Sequence, residues 1–147
     1  MGSTFHSLHY HLVFGTKERR PFIQKEWRSS LHHYLGGTVR GLGGVAEAVG
    51  GIEDHVHLLV SLCTTMEVAG LVRELKKASS AWAAQNHRPG FAWQEGYGVF
   101  SASWTHAKEL RRYIANQDEH HHGLSFFDEF KHLLERNGVR YDAKYLT

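Results

Sequence analysis

Apolar and polar residues recur along this chain with two different periods. Alternation of apolar and polar positions favours a strand, whereas apolar residues three and four positions apart favour a helix with one buried face. The pattern predicts strands over residues 6–16, 45–49, 52–62 and 98–103. It predicts helices over about residues 23–39, 64–85, 105–121 and 125–135. Gly50 and Gly51 are predicted to make the turn between the second and third strands.

The predicted order of elements is β-α-β-β-α-β-α-α. Without its last two helices, this order is the split βαβ pattern of ferredoxin-like folds. We therefore expect an α+β fold, in which helices pack on an antiparallel sheet and further helices follow at the C-terminal end. The third strand is the most apolar and should lie inside the sheet. A chain of 147 residues suits one domain, residues 1–147, with one core.

Two histidines interrupt the third predicted strand, which reads EDHVHLLV from Glu53 to Val60. Because side chains of a strand alternate between faces, His55 and His57 lie on one face with Leu59, opposite the apolar residues Val56, Leu58 and Val60. Rings two positions apart on a strand can converge on one metal ion. Such a pair by itself is more often a hydrogen-bonded pair at a core edge, so both interpretations stay open at this point.

A helix near the C-terminal end carries a second candidate pair. Tyr113 and Gln117 are four residues apart in RRYIANQDEHH and therefore share a helical face. Taken alone, Tyr113 suits the rim of a core and Gln117 a solvated surface. Asp54 precedes the two histidines, but strand alternation points it away from their rings, so we assign it no ligand role.

Composition and charge narrow the classes of protein only slightly. The chain is 41% hydrophobic and 22% charged, with a net charge of +2, which is ordinary for a globular protein. Lys and Arg cluster at 17–20, 73–77 and 108–112, as a phosphate-binding surface requires, although each cluster also suits a solvated face. Cys63 is the only cysteine, which excludes a disulfide framework and favours the reducing cytoplasm. The sequence shows no apolar run of about 18 residues for a membrane span and no signal-peptide core.

Several separated motifs together resemble one known family. They are HLVFGTKERRPFI (residues 11–23), EDHVHLLVS (53–61), FAWQEGYGVFSAS (91–103), YIANQDEHH (113–121) and SFFDEFKHLLERNGVRYDAKYL (125–146). In this order they resemble the single-tyrosine HUH transposases of bacterial insertion sequences, the TnpA-type enzymes, and their REP-associated tyrosine transposase relatives. The resemblance runs nearly from end to end. Glu53 and Gly15 depart from the residues usual in relatives, and we expect these departures to alter only local loop shape.

The resemblance implies a specific chemistry and specific residues for it. His55 and His57 correspond to the two metal ligands of the family, Gln117 to the third ligand and Tyr113 to the nucleophile. Members of the family act as homodimers in which the tyrosine helix often completes the partner's site. They cut single-stranded DNA near imperfect hairpins, form a 5′-phosphotyrosine link with a free 3′-OH, and rejoin the ends without hydrolysis.

The residue types suit this chemistry. A tyrosine has a pKa of about 10, so forming its phenolate at pH 7 costs about 4 kcal/mol, which a nearby cation can offset. Two imidazoles and an amide are neutral and leave the charge of a divalent ion available to a phosphate. The resemblance implies Mg or Mn in use, while imidazole ligands also suit Zn, Ni or Co in vitro.

Single-stranded DNA is bound by basic grooves that contain aromatic side chains. Candidate contacts are Lys17, Arg19, Arg20, Arg73, Lys76, Lys77 and Arg112, with Trp93 or Tyr97 available to stack on bases. By contrast, Trp27, Trp82 and Trp104 are expected in the core, because aromatic residues at helical spacing usually pack there.

Three alternatives follow from the same motifs. The enzyme could be a domesticated REP-associated transposase that processes chromosomal palindromic repeats with the same chemistry. It could instead be a non-catalytic module that binds single strands on its sheet. A histidine-triad nucleotide hydrolase needs a third alternating histidine, and Leu59 stands at that position, which excludes this class.

Overall fold

The computed structural model describes residues 2–120 and 123–146, which form a sheet with helices on both faces. The strands are β1 (His9–Gly15), β2 (Val45–Ile52), β3 (His55–Ser61) and β4 (Gly98–Ala102). The helices are α1 (Lys25–Gly41), α2 (Val68–Asn86), α3 (Ala107–Ala115), α4 (Gln117–His120) and α5 (Phe126–Arg136). Short 3-10 turns cover Lys17–Arg19, Trp104–His106 and Ala143–Tyr145.

The sheet is antiparallel, with the strand order β2-β3-β1-β4. This is the ferredoxin-like order, so the predicted α+β class is confirmed, as is the inner position of the third strand. Across the central pair, His11 lies opposite Leu59 and Val13 lies opposite His57. The register therefore places histidines of β1 and β3 on the same face of the sheet.

The two faces of the sheet differ in character. Leu12, Phe14, Val56 and Leu58 face α1 and α2 and form the larger apolar core. The other face is covered by α3 and α5, which pack against Val13, Leu59 and Phe100. The buried histidines lie on this second face, so α3 and α5 are the helices that decide which groups meet them.

The turn between the second and third strands lies at Glu53–Asp54, not at Gly50–Gly51 as predicted. Both glycines belong to β2 and pair with His57 and Val56. A side chain at Gly50 would place its Cβ 2.2 Å from the Ile114 carbonyl oxygen, and Gly51 adopts φ +147. Gly50 thus allows the close approach of α3, and Gly51 allows an unusual backbone conformation inside the strand. Glycines are also typical of turns, which is why the sequence pattern predicted a turn here.

The third predicted helix is interrupted. It was expected to run from residue 105 to about residue 121, but α3 ends at Ala115, Asn116 adopts φ −103 and ψ 28, and α4 starts at Gln117. The predicted end at His121 lies outside the described residues. Arg28 of α1 donates from Nη1 to Asp118 Oδ1 at 3.2 Å, which ties α4 to the start of α1.

The predicted placement of the tryptophans holds for two of the three. Trp27 is buried and Trp82 is half-buried, and both belong to the larger core. Trp104 is 66% exposed, so its predicted core position was wrong. It lies in the short turn before α3 rather than at a helical position, and its ring sits 5.9 Å from that of His9 at the edge of the sheet.

Replacing Gly50 with Ala should destabilise the protein by about 1–3 kcal/mol, because the new methyl group overlaps the backbone of α3. The free energy of unfolding in urea measures the effect. Gly37→Ala is the matched control, since Gly37 is an exposed position of α1 with nothing within 4 Å of the added atom. It should stabilise the protein by up to about 1 kcal/mol through helix propensity. Equal effects of the two substitutions would contradict this account of Gly50.

Candidate metal centre and tyrosine site

His55 and His57 project from β3 toward the same point beneath α5. Both side chains are fully buried. The Nε2 atom of His55 lies 3.2 Å from Glu129 Oε1, and that of His57 lies 3.1 Å from the same oxygen. The alternation of the strand therefore brings the two predicted ligands to one place, and it adds a carboxylate that the sequence reasoning did not include.

Tyr113 and Gln117 reach this point from α3 and α4. Gln117 Oε1 lies 3.0 Å from His55 Nε2, and Gln117 Nε2 donates to Glu129 Oε2 at 3.1 Å. The Tyr113 hydroxyl donates to the same Glu129 oxygen, and its ring stands edge-on to that of His57 at 5.6 Å. The break at Asn116 does not separate the two side chains, so one chain brings its own tyrosine beside its own histidines.

Glu129 was missed by the sequence reasoning, although its position carried a signal. It is 2% exposed and lies on the same face of α5 as Phe126, Leu133 and other apolar residues. An acidic residue at an apolar position of an amphipathic helix is unusual unless it has buried partners. Its described partners are His55, His57, Tyr113 and Gln117, so this one carboxylate links all the candidate residues.

Two glycines of the sheet make room for α5. A Cβ at Gly15 would lie 2.8 Å from the Phe126 ring, and one at Gly98 would lie 2.5 Å from the Phe130 ring. Phe126 stacks on His55 with ring centroids 4.1 Å apart and planes at 5°. The departure at Gly15 was expected to affect only loop shape. Its structural effect is larger, because it admits the aromatic ring that covers His55.

Groups behind the two histidines orient their rings. Asp54 Oδ1 lies 2.8 Å from His55 Nδ1, so the expectation that Asp54 points away from the rings was wrong. That expectation placed Asp54 in the strand, whereas it belongs to the preceding turn. His11 of β1 plays the corresponding part for His57, with its Nε2 2.8 Å from His57 Nδ1. Partners on both Nδ1 atoms direct both Nε2 atoms toward the cluster.

The electrostatics of the cluster are strongly perturbed. Burial lowers the pKa of His11 to about 3, so its ring is neutral and can accept a hydrogen bond from His57. Burial opposes protonation of His55 as well, but hydrogen bonds to Asp54 and Glu129 outweigh it and raise the pKa to about 9. Burial and the adjacent Glu129 carboxylate raise the pKa of the Tyr113 phenol. Tyr113 is therefore held as a neutral phenol unless positive charge is added nearby.

The donor atoms suit a divalent metal ion. Ligand atoms about 2.1 Å from an octahedrally coordinated divalent ion such as Mg²⁺ are about 3 Å from their nearest neighbours. The Nε2 atom of His55 lies 3.0 Å from the Gln117 oxygen and 3.2 Å from the Glu129 oxygen, and His57 Nε2 lies 3.1 Å from the latter. His55, His57 and Glu129 each offer a ligand atom within 4.8 Å of the others. The buried nitrogen and oxygen donors thus have the chemistry and spacing of a metal centre.

A groove of about 480 Å³ opens beside Tyr113, between β4, α3 and α5. His106, Arg136 and Asn137 contribute polar groups to its wall, and Tyr113 and His11 line it as well. A ligand in this groove would reach the tyrosine from the solvent side.

The predicted DNA-contact residues differ in exposure. Exposed side chains are those of Lys17, Arg20, Arg73, Lys77, Tyr97 and Arg112. Arg19 is half-buried, with its guanidinium 5.3 Å from the centre of the Phe127 ring. Nothing in these positions tests a role in DNA binding, which stays a prediction for all of them.

Lys76 and Trp93 already have partners within the protein. Lys76 Nζ donates to the carbonyl oxygens of Gln94 at 2.8 Å and Gly96 at 2.6 Å. Trp93 donates from Nε1 to Ser79 Oγ at 2.9 Å and packs edge-on against Phe14. Both side chains hold the segment before β4 against α2, so any contact with DNA would compete with these interactions.

Comparison with known proteins agrees with this fold. The profile of the family described as "Transposase IS200 like" matches residues 4–117. A candidate transposase from Deinococcus radiodurans R1 superposes with a TM-score of 0.61 at 27% identity, covering 80% of this chain and 95% of that one. A REP-associated tyrosine transposase, solved bound to a REP hairpin, superposes with a TM-score of 0.60 at 15% identity, covering 99% and 91%. No curated protein matches the chain.

The sequence resemblance implied an antiparallel ferredoxin-like sheet with a His-x-His pair beside a helical tyrosine, and the structure has this arrangement. The arrangement indicates a DNA transposase. The chain belongs to the IS200-like transposase family, whose profile covers residues 4–117. Within the described residues, every helix is too short or too polar to cross a membrane.

His11→Phe should weaken Mn²⁺ binding about 10- to 100-fold, because His57 loses the acceptor that directs its Nε2 atom toward the cluster. Isothermal titration of Mn²⁺ into each variant measures the affinity. His11→Gln retains an acceptor and should keep most of it, which a purely steric role for His11 does not predict. Unchanged binding by the Phe variant would disprove the positioning role.

Proposed function

We propose that this transposase cuts and rejoins single-stranded DNA at hairpin-flanked ends, with Tyr113 as the nucleophile. A divalent ion, Mg or Mn, would be held by His55, His57 and Gln117. The observation that carries the proposal is the convergence of both histidines, Gln117 and the Tyr113 hydroxyl on one buried carboxylate. A core histidine pair without such a function has no need of a phenol and an amide directed to the same carboxylate.

The reaction assigns a defined task to Tyr113. Its phenolic oxygen forms a bond to the scissile phosphorus while the bond to the 3′ oxygen breaks. The tyrosine gives up its proton, the departing 3′ oxygen takes one up, and the DNA is left with a free 3′-OH and a 5′-phosphotyrosine link. A second 3′-OH can attack the same phosphorus and reverse the exchange. The P–O bond to Tyr113 then breaks, and the phenolate, which is a good leaving group, takes up a proton. Tyr113 lines the groove, which gives the substrate strand access to it.

The metal would act on the two charges that oppose this reaction. When bound, it stabilises negative charge on the phosphate and on the phenolic oxygen. The residues of the chain supply the rest of the arrangement. His11 and Asp54 fix the ring orientations, and Phe126 of α5 covers the His55 ring.

For the DNA, the proposal retains the basic and aromatic contacts named from the sequence. The exposed members of that set suit the phosphate backbone, with Lys17 and Arg20 before α1, Arg73 and Lys77 on α2, and Arg112 on α3. Arg112 directly precedes Tyr113 and is exposed. A phosphate chain held there would lie close to the nucleophile.

Tyr113→Phe should abolish a covalent protein–DNA adduct, because it removes only the attacking oxygen. Wild-type protein incubated with hairpin single-stranded DNA and Mn²⁺ should give a band that survives SDS, and His57→Ala should also lose it. Tyr34→Phe is the matched control, since Tyr34 stacks on Trp82 in the opposite core at 4.7 Å and should retain the adduct. An adduct formed by Tyr113→Phe would disprove the assignment. Absence of an adduct from wild type across hairpin substrates would favour a non-catalytic binding module.

The family resemblance implies a homodimer. We propose a homodimer in which each site uses the tyrosine of its own subunit, although family members often use the tyrosine helix of the partner. The hydroxyl of Tyr113 and the rings of His55 and His57 meet the same Glu129 within one chain, which supports action in cis. A mixture of Tyr113→Phe and His57→Ala subunits should therefore give no adduct. Recovery of about half the wild-type adduct in mixed dimers would instead establish exchange of the tyrosine helix between subunits.

The domesticated alternative shares this chemistry and differs in its substrate. The similarity to a REP-associated transposase extends over 99% of this chain, whereas the family profile ends at residue 117. Repeats scattered through the genome would favour the domesticated role, and inverted palindromes flanking the gene itself would favour a mobile element.

A further inference from the structure

We propose that Glu129 is itself a ligand of the metal, so that the centre contains a carboxylate supplied by α5 in addition to His55, His57 and Gln117. The inference rests on the proposed function, since it concerns the same ion. It adds an anionic oxygen donor to a ligand set that the sequence reasoning had assembled from neutral groups alone. It also gives α5, which follows the region matched by the family profile, a direct part in the centre.

The spacing of the donor atoms supports direct ligation. Glu129 Oε1 lies 3.1 Å from one histidine Nε2 and 3.2 Å from the other. These separations are close to the 3.0 Å between His55 Nε2 and the Gln117 oxygen. Adjacent ligands of one octahedrally coordinated divalent ion are about 3 Å apart, so the carboxylate oxygen stands among the histidines as a neighbouring ligand would.

The seating of α5 shows that this position is built into the fold. Phe126 and Phe130 lie one turn apart on α5 and pack over Gly15 and Gly98, where any Cβ would come within 3 Å of their rings. Glu129 lies between them in sequence and turns to the same side of the helix. These two close contacts therefore fix the distance of α5 from the sheet, and this distance determines how closely the Glu129 carboxylate approaches the histidines.

Charge also favours the arrangement. A carboxylate that is 2% exposed is costly to bury unless an opposite charge accompanies it. With both histidines neutral, as metal ligands must be, a divalent ion would supply that charge, and carboxylate oxygen is a favourable ligand for Mg and Mn. With Glu129 bound, the positive charge left for the phosphate falls from +2 to +1. The second carboxylate oxygen accepts the Tyr113 hydroxyl, so Glu129 would connect the nucleophile with the ion.

Glu129 could instead occupy the place of the ion, and this role predicts a different change in Mn²⁺ affinity. If Glu129 merely filled the space of the ion and neutralised the histidines, its removal would leave Mn²⁺ affinity unchanged or increase it. If Glu129 is a ligand, Glu129→Gln should lower the affinity at least tenfold. The sign of the change therefore decides between a ligand and an obstruction, without reference to DNA cleavage.

The experiment is isothermal titration of MnCl₂ into full-length wild type, Glu129→Gln, Glu129→Asp and the control Glu135→Gln. Glu135 carries the same charge on α5 but is exposed. Its variant should bind Mn²⁺ as wild type does. Glu129→Asp keeps the negative charge but shortens the side chain by one methylene. Direct ligation therefore predicts a loss of Mn²⁺ affinity similar to that of Glu129→Gln. A long-range charge effect predicts nearly normal binding by Glu129→Asp, and that result would overturn the proposal.

Thermal unfolding without metal checks that each variant is folded. If Glu129→Gln does not fold, the Mn²⁺ affinity of Glu129→Asp decides whether Glu129 is a ligand.

Gly98→Ala provides an independent test of how α5 packs on the sheet, because it displaces Phe130 without changing a ligand. It should also weaken Mn²⁺ binding, and normal binding by this variant would contradict the role given to the seating. If wild type and His57→Ala both fail to bind Mn²⁺, the metal centre of the proposed function fails, whereas normal binding by Glu129→Gln overturns the Glu129 proposal alone.

Discussion

The antiparallel register between β1 and β3 is the constraint on which the site depends. It places Val13 opposite His57, so that His11, two residues earlier on the same face, reaches the His57 ring. A slip of one residue would turn the histidines toward α1 and α2 and expose the apolar side chains that fill that core. Because Leu12, Phe14 and Leu58 are completely buried there, such a slip is strongly disfavoured. The hydrophobic core thus determines the face on which the candidate site lies, although it contributes no atom to that site.

Glycines determine how closely the helices approach that face. Helices normally rest on the side chains of a sheet, and a glycine lets the backbone or a large ring come closer. Gly50 admits the backbone of α3 at Ile114, one residue beyond Tyr113, while Gly15 and Gly98 admit two rings of α5. The tyrosine, the amide and the carboxylate are consequently carried on helices seated at three glycine positions rather than on loops. This type of support suits a site in which groups must meet within about 3 Å.

Sequence reasoning reached the sheet, its central strand and the placement of His55, His57, Tyr113 and Gln117, because periodicity reports which residues share a face of one element. It could not report what that face packs against. Glu129 was missed for this reason, since its partners lie on three other elements. Asp54 was misplaced because its direction depended on where the turn lies, and the glycines that suggested a turn served helix packing instead. The break at Asn116 was also invisible to the pattern, yet it left the meeting of Tyr113 and Gln117 intact.

The Glu129 carboxylate contacts the Tyr113 hydroxyl and is also the proposed ligand of the ion, so it couples the pKa of the tyrosine to the presence of the ion. Burial raises the pKa of Tyr113, and the adjacent Glu129 carboxylate raises it further because a phenolate beside it would be a second negative charge. The same carboxylate would oppose the phenolate much less if its charge were shared with a divalent cation, because the group as a whole would then be positive. Tyr113 would therefore be a poor nucleophile in the absence of the ion and a better one in its presence. A single buried acid on α5 can in this way make the reactivity of the tyrosine conditional on the metal, and it needs no conformational change to do so.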